Sequence, residues 1–270
     1  MSTSSLGTAL VTGASSGIGR VYAQRLAARG YDLVIVARNT ARLDELAQQI
    51  AAGTGRKVDV LSADLGKPAD VAKVAARIAD DAAITLLVNN AGAGTEGPVL
   101  GADAGKIDAM VQLNVVALTR LAVAAVNAFS ARGRGTLINI ASVVAIVPEN
   151  FPGAYAATKA YVLAFTQSLE AEMKGGHVRL QAVLPGLTRT EFFDRAGLDG
   201  AALPAEMVMS AEDLVDAALA GLDQGEVYTI PALADASGWA TLVAARGALG
   251  PHLSRSTPAA RYGVGKPATA

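Results

Sequence analysis

Seven short apolar runs, spaced by longer amphipathic stretches, constrain this 270-residue chain more than any other feature. The runs at 8–12, 33–37, 58–61, 85–89, 135–140 and 179–184 are mostly apolar on both faces, and 227–230 is a seventh candidate. A strand that is apolar on both faces must be covered on both, which calls for a parallel sheet between two layers of helices. The stretches at 17–29, 41–52, 68–80, 104–132, 155–173 and 211–223 supply those helices. Ser210, with Glu212 and Asp213 behind it, reads as a capping box that starts the last of them. Such alternation gives right-handed crossovers, so the expected architecture is α/β: a doubly wound, mostly parallel seven-stranded sheet with helices on both faces.

Hydrophobic residues make up 51% of the chain and charged residues 17%, enough apolar surface to bury a sizeable core. No repeat, linker or charge block interrupts residues 1–232, which are expected to form one domain. Residues 233–270 read as a C-terminal extension: a possible helix at 237–246, then a Pro-, Gly-, Ser- and Arg-rich tail, either loosely held or docked on a neighbouring subunit. With 23 Lys+Arg against 24 Asp+Glu, no nucleic-acid or anionic-membrane partner is expected. The absence of cysteine excludes disulfides, thiolate catalysis and cysteine metal sites. His177 and His252 stand alone and read as structural or solvated, so no metal is expected. Neither an uninterrupted apolar run of about 18 residues nor a basic-then-apolar leader is present, so a cytoplasmic location away from membranes is the expectation.

Between the first run and the first helix lies Thr12-Gly-Ala-Ser-Ser-Gly-Ile-Gly19. Gly13, Gly17 and Gly19 allow a sharp turn and a close approach of a pyrophosphate to the backbone, while the helix start offers free N–H donors. Ser15, Ser16 and Ile18 complete this nucleotide-binding turn of a Rossmann fold. At the end of the second run an acid would accept hydrogen bonds from an adenosine 2′-hydroxyl and repel a 2′-phosphate. Ala37 stands there instead, followed by Arg38, which can pair with a phosphate or simply be a solvated strand-end charge. NADP(H) is therefore the expected cofactor, with NAD(H) as the alternative. Asp64, before Leu65, is either an adenine contact or a turn residue. Asn89, Asn90, Ala91 and Gly92 end the fourth run; their small residues admit a ligand, and the Asn side chains can brace neighbouring strands.

Tyr155 and Lys159 lie four apart on an expected helix, hence on one face about 5–6 Å apart. A phenol titrates near about 10, and a neighbouring ammonium favours its phenolate. Ser142, just beyond the fifth run, is able to hydrogen-bond a reacting oxygen from the opposite side. All of these residues converge beyond the carboxyl ends of the strands, where ligands of such sheets bind.

With Thr12-Gly-x-x-x-Gly-x-Gly19, Asn89-Asn-Ala-Gly92, Asn114, Ser142, Tyr155-x-x-x-Lys159 and Pro185-Gly186 followed by Thr188, the chain resembles the short-chain dehydrogenase/reductase family over about residues 6 to 230. The resemblance implies an oxidoreductase that interconverts a ketone or aldehyde and an alcohol by hydride transfer. In it Tyr155 is the acid–base group, Ser142 polarises the carbonyl, Lys159 lowers the tyrosine pKa and Asn114 holds a water in a proton relay. Pro185 and Gly186 would turn the chain beside the nicotinamide, and Thr188 would bond its carboxamide. Asn114 by itself reads equally as a kink or a buried hydrogen bond inside a long helix. Ser16 departs from many NADP-dependent relatives, which carry a basic residue there.

The apolar residues within 143–154 and 187–209 point to a hydrophobic carbonyl or alcohol substrate, although Arg189 and Arg195 are near. A homodimer or homotetramer is implied, and the Ala-rich face 121–129 suits either subunit contact or packing on the sheet. The competing readings are an NAD-dependent alcohol dehydrogenase and a non-catalytic nucleotide-binding scaffold.

Overall fold

The structure, a computed structural model, describes residues 6–94, 97–192 and 204–264. Seven strands make one parallel sheet in the order β3-β2-β1-β4-β5-β6-β9. They are β1 Thr8–Thr12, β2 Asp32–Ala37, β3 Val58–Ser62, β4 Ile84–Asn89, β5 Gly135–Ile140, β6 Val178–Val183 and β9 Tyr228–Thr229. The order reverses direction between β1 and β4, both parallel neighbours, which opens a crevice at their carboxyl ends. A separate pair, β7 Thr188–Arg189 and β8 Met209–Ser210, stands off the main sheet.

Why these runs become strands is visible in their burial. All six residues of β4 are buried, as are the last four of β1 and the last five of β5. The edge strand β3 instead has no fully buried residue, and Asp59 and Ser62 are exposed. The helices are α1 Gly17–Ala28, α2 Thr40–Thr54, α3 Pro68–Asp80, α4 Ala104–Val111, α5 Leu118–Ala131, α6 Gly153–Glu172 and α7 Ala211–Asp223. They divide into two layers. On one face α1, α2 and α7 bury Val21, Leu26, Leu43, Leu46, Leu214 and Leu219 against Val11 and Ile35. On the other, α3 and α5 bury Val71, Ile78, Leu121 and Phe129 against Leu10 and Leu87.

The expected helix at 104–132 is not one regular helix. Gln112–Ala117 winds as a π-helix between α4 and α5, and Asn114 lies inside it. The Ala-rich face of α5 packs inward, with Leu121, Ala122, Ala125 and Phe129 in the core. Length and composition alone would let Ala104–Ala131 cross a membrane, yet 44% of its most apolar window is buried inside the protein. At α7 the expected cap is present: the Asp213 N–H donates to Ser210 Oγ at 2.9 Å. The reciprocal contact is from the Ser210 hydroxyl to the Asp213 carboxylate, at 2.7 Å.

The chain forms two compact units, Met1–Ala232 and Leu233–Ala270. The second contains α8, Ser237–Leu249, which runs three residues beyond the expected helix end.

One core residue conflicts with its surroundings. Tyr22 of α1 is fully buried, and its hydroxyl has no hydrogen-bond partner among the described residues. Burial accordingly pushes the phenol well above its ordinary range. A buried hydroxyl without a partner is a net destabilisation. Tyr22→Phe should leave the fold intact and be neutral to about 1 kcal/mol stabilising in a urea titration. A loss of more than about 2 kcal/mol would mean that the hydroxyl is satisfied in solution.

Candidate active site

The site begins where β1 and β4 end. Thr12 Oγ1 accepts hydrogen bonds from the N–H groups of Asn90 and Ala91, at 2.9 and 3.0 Å, and donates to the Val88 carbonyl. The Asn90 amide in turn donates to the Thr12 carbonyl at 2.8 Å and to the Gly13 carbonyl at 3.5 Å. This knot fixes the glycine turn, and it leaves no room for side chains. A Cβ on Gly19 would lie 2.5 Å from the Gly13 carbonyl oxygen, and one on Gly13 would lie 2.8 Å from Asn90 Nδ2. Gly13 and Gly17 also hold φ of 68° and 53°, in the left-handed region. Ser16 is the N-cap of α1 and makes no side-chain capping bond. A glycine-lined helix start at the crevice fits a pyrophosphate.

At the end of β2, Arg38 is exposed and makes no hydrogen bond or ion pair among the described residues. Asn39 caps α2 by accepting from the Arg42 N–H at 3.1 Å. Asp64 serves its own turn, accepting from the Gly66 N–H at 3.0 Å. The Leu65 side chain packs in the core, which leaves only its main chain to meet a ligand.

The chemical residues come from four elements. Ser142 follows β5 and is buried; its Oγ lies 3.2 Å from the Pro185 carbonyl and accepts from the Val144 N–H at 3.3 Å. It also hydrogen-bonds Tyr155, which favours the phenolate. One hydroxyl proton serves both Pro185 and Tyr155, so rotation of Ser142 can move it between them. Tyr155 and Lys159 share a face of α6, and the Lys159 Nζ is 5.9 Å from the Tyr155 ring centroid. That ammonium donates to the Ile140 carbonyl at 2.9 Å.

Burial dominates the electrostatics of both groups. It pushes the Tyr155 phenol up to about 12, against a smaller lowering by Ser142. It pulls Lys159 down to about 8. The lowering at Tyr155 comes from its hydrogen bond with Ser142, while the Lys159 Nζ, near the ring, is held by the Ile140 carbonyl.

Asn114 is held from both ends. Its Oδ1 accepts from the Ala93 N–H at 2.9 Å, and its Nδ2 donates to the Ala93 carbonyl at 2.8 Å and to Thr158 Oγ1 at 3.1 Å. The π-helix turns this buried amide toward the loop after β4, an arrangement common at functional sites. A Cβ on Gly92 would lie 3.2 Å from Asn114 Oδ1 and 3.6 Å from Lys159 Nζ, so that loop borders both. Thr188 is buried and donates to the Gly186 carbonyl at 3.0 Å. Phe192 lies beside Tyr155, ring centroids 5.6 Å apart.

Sequence reasoning missed the structural part of Thr12, the bracing of Asn114 by Thr158, and the Phe192 contact. The position of Thr12 directly before Gly13 was a usable signal; nothing local marks the other two. Phe193 and Arg195 lie outside the described residues.

A family model described as short chain dehydrogenase matches residues 7–199. Among solved structures, a short-chain dehydrogenase from Sphingobium yanoikuyae in complex with NADPH is 46% identical, with a TM-score of 0.91 over 94% of this chain and 98% of that one. The bulky-bulky ketone specific alcohol dehydrogenase from Comamonas testosteroni is 43% identical, with a TM-score of 0.88 over 96% and 99%. An uncharacterized oxidoreductase of Staphylococcus epidermidis is 30% identical over 217 residues, 80% of this chain and 90% of that protein.

The buried lysine gives a test with a definite sign. Lys159 holds its proton less tightly folded, at about 8, than at its ordinary 10.5, so folding releases a proton between those values. Its penalty is therefore full below 8 and fades as the pH rises toward 10.5. Lys159→Met should be more stable than the wild type at pH 7, by on the order of 1–3 kcal/mol, with the gap shrinking toward pH 10 in urea titrations. A variant less stable at both pH values would contradict this account.

Proposed function

The chain belongs to the short-chain dehydrogenase family, and within it we propose an NADP(H)-dependent oxidoreductase that interconverts a hydrophobic ketone and its alcohol. As a member of that family it is an oxidoreductase acting on CH–OH and C=O groups. The observation that carries this reading is the meeting of Ser142, Tyr155 and Lys159, with Lys159 bordering the loop after β4.

A bound nicotinamide would supply the hydride or accept it, and its oxidised form would add a positive charge that favours the phenolate. The residues of the chain do the rest. Gly13, Ser15, Ser16, Gly17, Ile18 and Gly19 would receive the pyrophosphate, and Asn90 braces that turn. Arg38 would pair with the adenosine 2′-phosphate, a role supported by its exposure and lack of partners. Asp64, the Leu65 main chain, Ala91 and Gly92 would border the adenosine and ribose, and Pro185, Gly186 and Thr188 the nicotinamide. NADPH in the complex of the Sphingobium relative supports the choice of cofactor.

Tyr155 gives a proton to the carbonyl oxygen in reduction and takes it back in oxidation. With its phenol held at about 12 by burial, it rests protonated through neutral pH, the form that reduction uses. Ser142 hydrogen-bonds the same oxygen and moves its own proton between Pro185 and the reacting pair. Lys159, cationic below about 8, would hold ribose hydroxyls. Asn114, whose amide is fixed by Ala93 and Thr158, would place a water that returns the proton to solvent.

The substrate side is apolar. Val143, Ile146, Val147 and Phe151, in the segment between Ser142 and Tyr155, are only partly buried, and Phe192 lies against Tyr155. The ketone specificity of the Comamonas relative supports a substrate with bulky groups on the carbonyl. A cytoplasmic homo-oligomer is part of the proposal. Val111, Val116 and Val123 along α4–α5, and Tyr161 of α6, are exposed and would suit a helix-to-helix subunit contact.

Steady-state kinetics on a panel of bulky ketones with both nucleotides tests the reading. Tyr155→Phe should lower kcat at least about 100-fold. Arg38→Asp should lower kcat/KM with NADPH about tenfold or more while sparing NADH. Undiminished turnover by Tyr155→Phe would refute the assignment of the proton.

A further inference from the structure

Residues 188–192 form a strap fastened at four places. Thr188 and Arg189 pair with Met209 and Ser210. Thr190 sits over the phosphate turn, since a Cβ on Gly17 would lie 3.0 Å from its Cγ2. Glu191 binds Arg42 with both carboxylate oxygens, 3.0 and 2.8 Å from Nη1. Phe192 then lies against Tyr155. Five residues therefore link the candidate proton donor, the glycine turn and the first turn of α2.

The Arg42–Glu191 pair needs an explanation other than stability. Its side chains are 43% and 45% exposed, and an ion pair that open to water adds little. Its position is more informative. Arg42 stands four residues after Arg38, with the cap Asn39 between them holding its N–H. It grips Glu191 through Nη1, and no hydrogen bond or ion pair from its Nε or Nη2 is found among the described residues. A guanidinium has five donors in a rigid fork, so it can hold a carboxylate on one nitrogen and an anionic oxygen on the others.

We infer that Arg42 and Glu191 are a clasp that couples the adenosine 2′-phosphate to the strap beside Tyr155. Arg42 is the second cation for that phosphate, in the role that Ser16 cannot fill, and Glu191 transmits its ordering to Phe192. The inference rests on the NADP(H) reading above. Both residues position other groups and neither touches the reacting atoms. Coupling is reciprocal: whatever the clasp adds to NADPH affinity, NADPH adds to the seating of the strap.

The exposed Arg189 offers a direct readout, because trypsin cuts after it. Tryptic cleavage at Arg189, followed by mass spectrometry, would be timed with no nucleotide, with saturating NADPH and with saturating NADH. Fluorescence titrations would give both dissociation constants, and circular dichroism would confirm that each variant is folded. NADPH should slow the cut about tenfold more than NADH does in the wild type. Arg42→Ala and Glu191→Ala should each erase that difference, and Glu191→Ala should weaken NADPH binding severalfold while leaving NADH unchanged. The exchanged pair Arg42→Glu with Glu191→Arg should restore protection of the nucleotide-free strap but not the extra effect of NADPH. The clasp is overturned if the wild type prefers NADPH and Glu191→Ala keeps both the protection difference and the affinity ratio. A wild type that binds both nucleotides alike would overturn the cofactor reading and the clasp together, and the wild type alone reveals that case.

Discussion

The hydroxyl of Thr12 sits where the sheet reverses its order, and it joins the ends of β1 and β4 through the N–H groups of Asn90 and Ala91. With the Asn90 amide returning to the Thr12 carbonyl, two neighbouring strand ends become one rigid platform. The glycine turn rises from the first strand of that platform and the loop bearing Ala91 and Gly92 from the second. Gly13 and Gly19 of the first loop admit no side chain, because a Cβ at either would meet its neighbours below 3.0 Å. A nucleotide cleft is therefore set by backbone geometry before any charged side chain is considered.

On that platform the chemistry is governed by burial more than by pairing. Tyr155 and Lys159 both sit in low-dielectric surroundings that favour their neutral forms, to about 12 and about 8 respectively. At neutral pH the site therefore holds a neutral phenol beside a buried ammonium, an arrangement common where titratable groups are poised for proton transfer. Holding Lys159 to the Ile140 carbonyl and Asn114 to Ala93 keeps these groups in register across α6, β5 and the π-helix.

The layered fold was legible because its strands are apolar on both faces, and each main-sheet strand lies within one or two residues of its expected place. The glycines and the Ser142, Tyr155 and Lys159 set were legible because steric need and spacing mark them locally. What escaped is long-range. Asn114, inside the π-helix, is braced by the Ala93 backbone 21 residues away, and periodicity cannot register that contact. The Arg42–Glu191 contact joins residues 149 positions apart, and only folding brings them together. The Ala-rich face 121–129 had two uses open to it in sequence, and packing against the sheet is the one it takes within the chain.

The most direct test of the central claim follows the hydride itself. The protein would be supplied with NADPH deuterated at C4 of the nicotinamide and a bulky ketone, and the alcohol formed would be examined by mass spectrometry and NMR. The account predicts deuterium on the carbinol carbon of the product and none on its oxygen, with transfer lost in Tyr155→Phe. Alcohol formed without deuterium at that carbon, or transfer that persists undiminished without the Tyr155 hydroxyl, would contradict it.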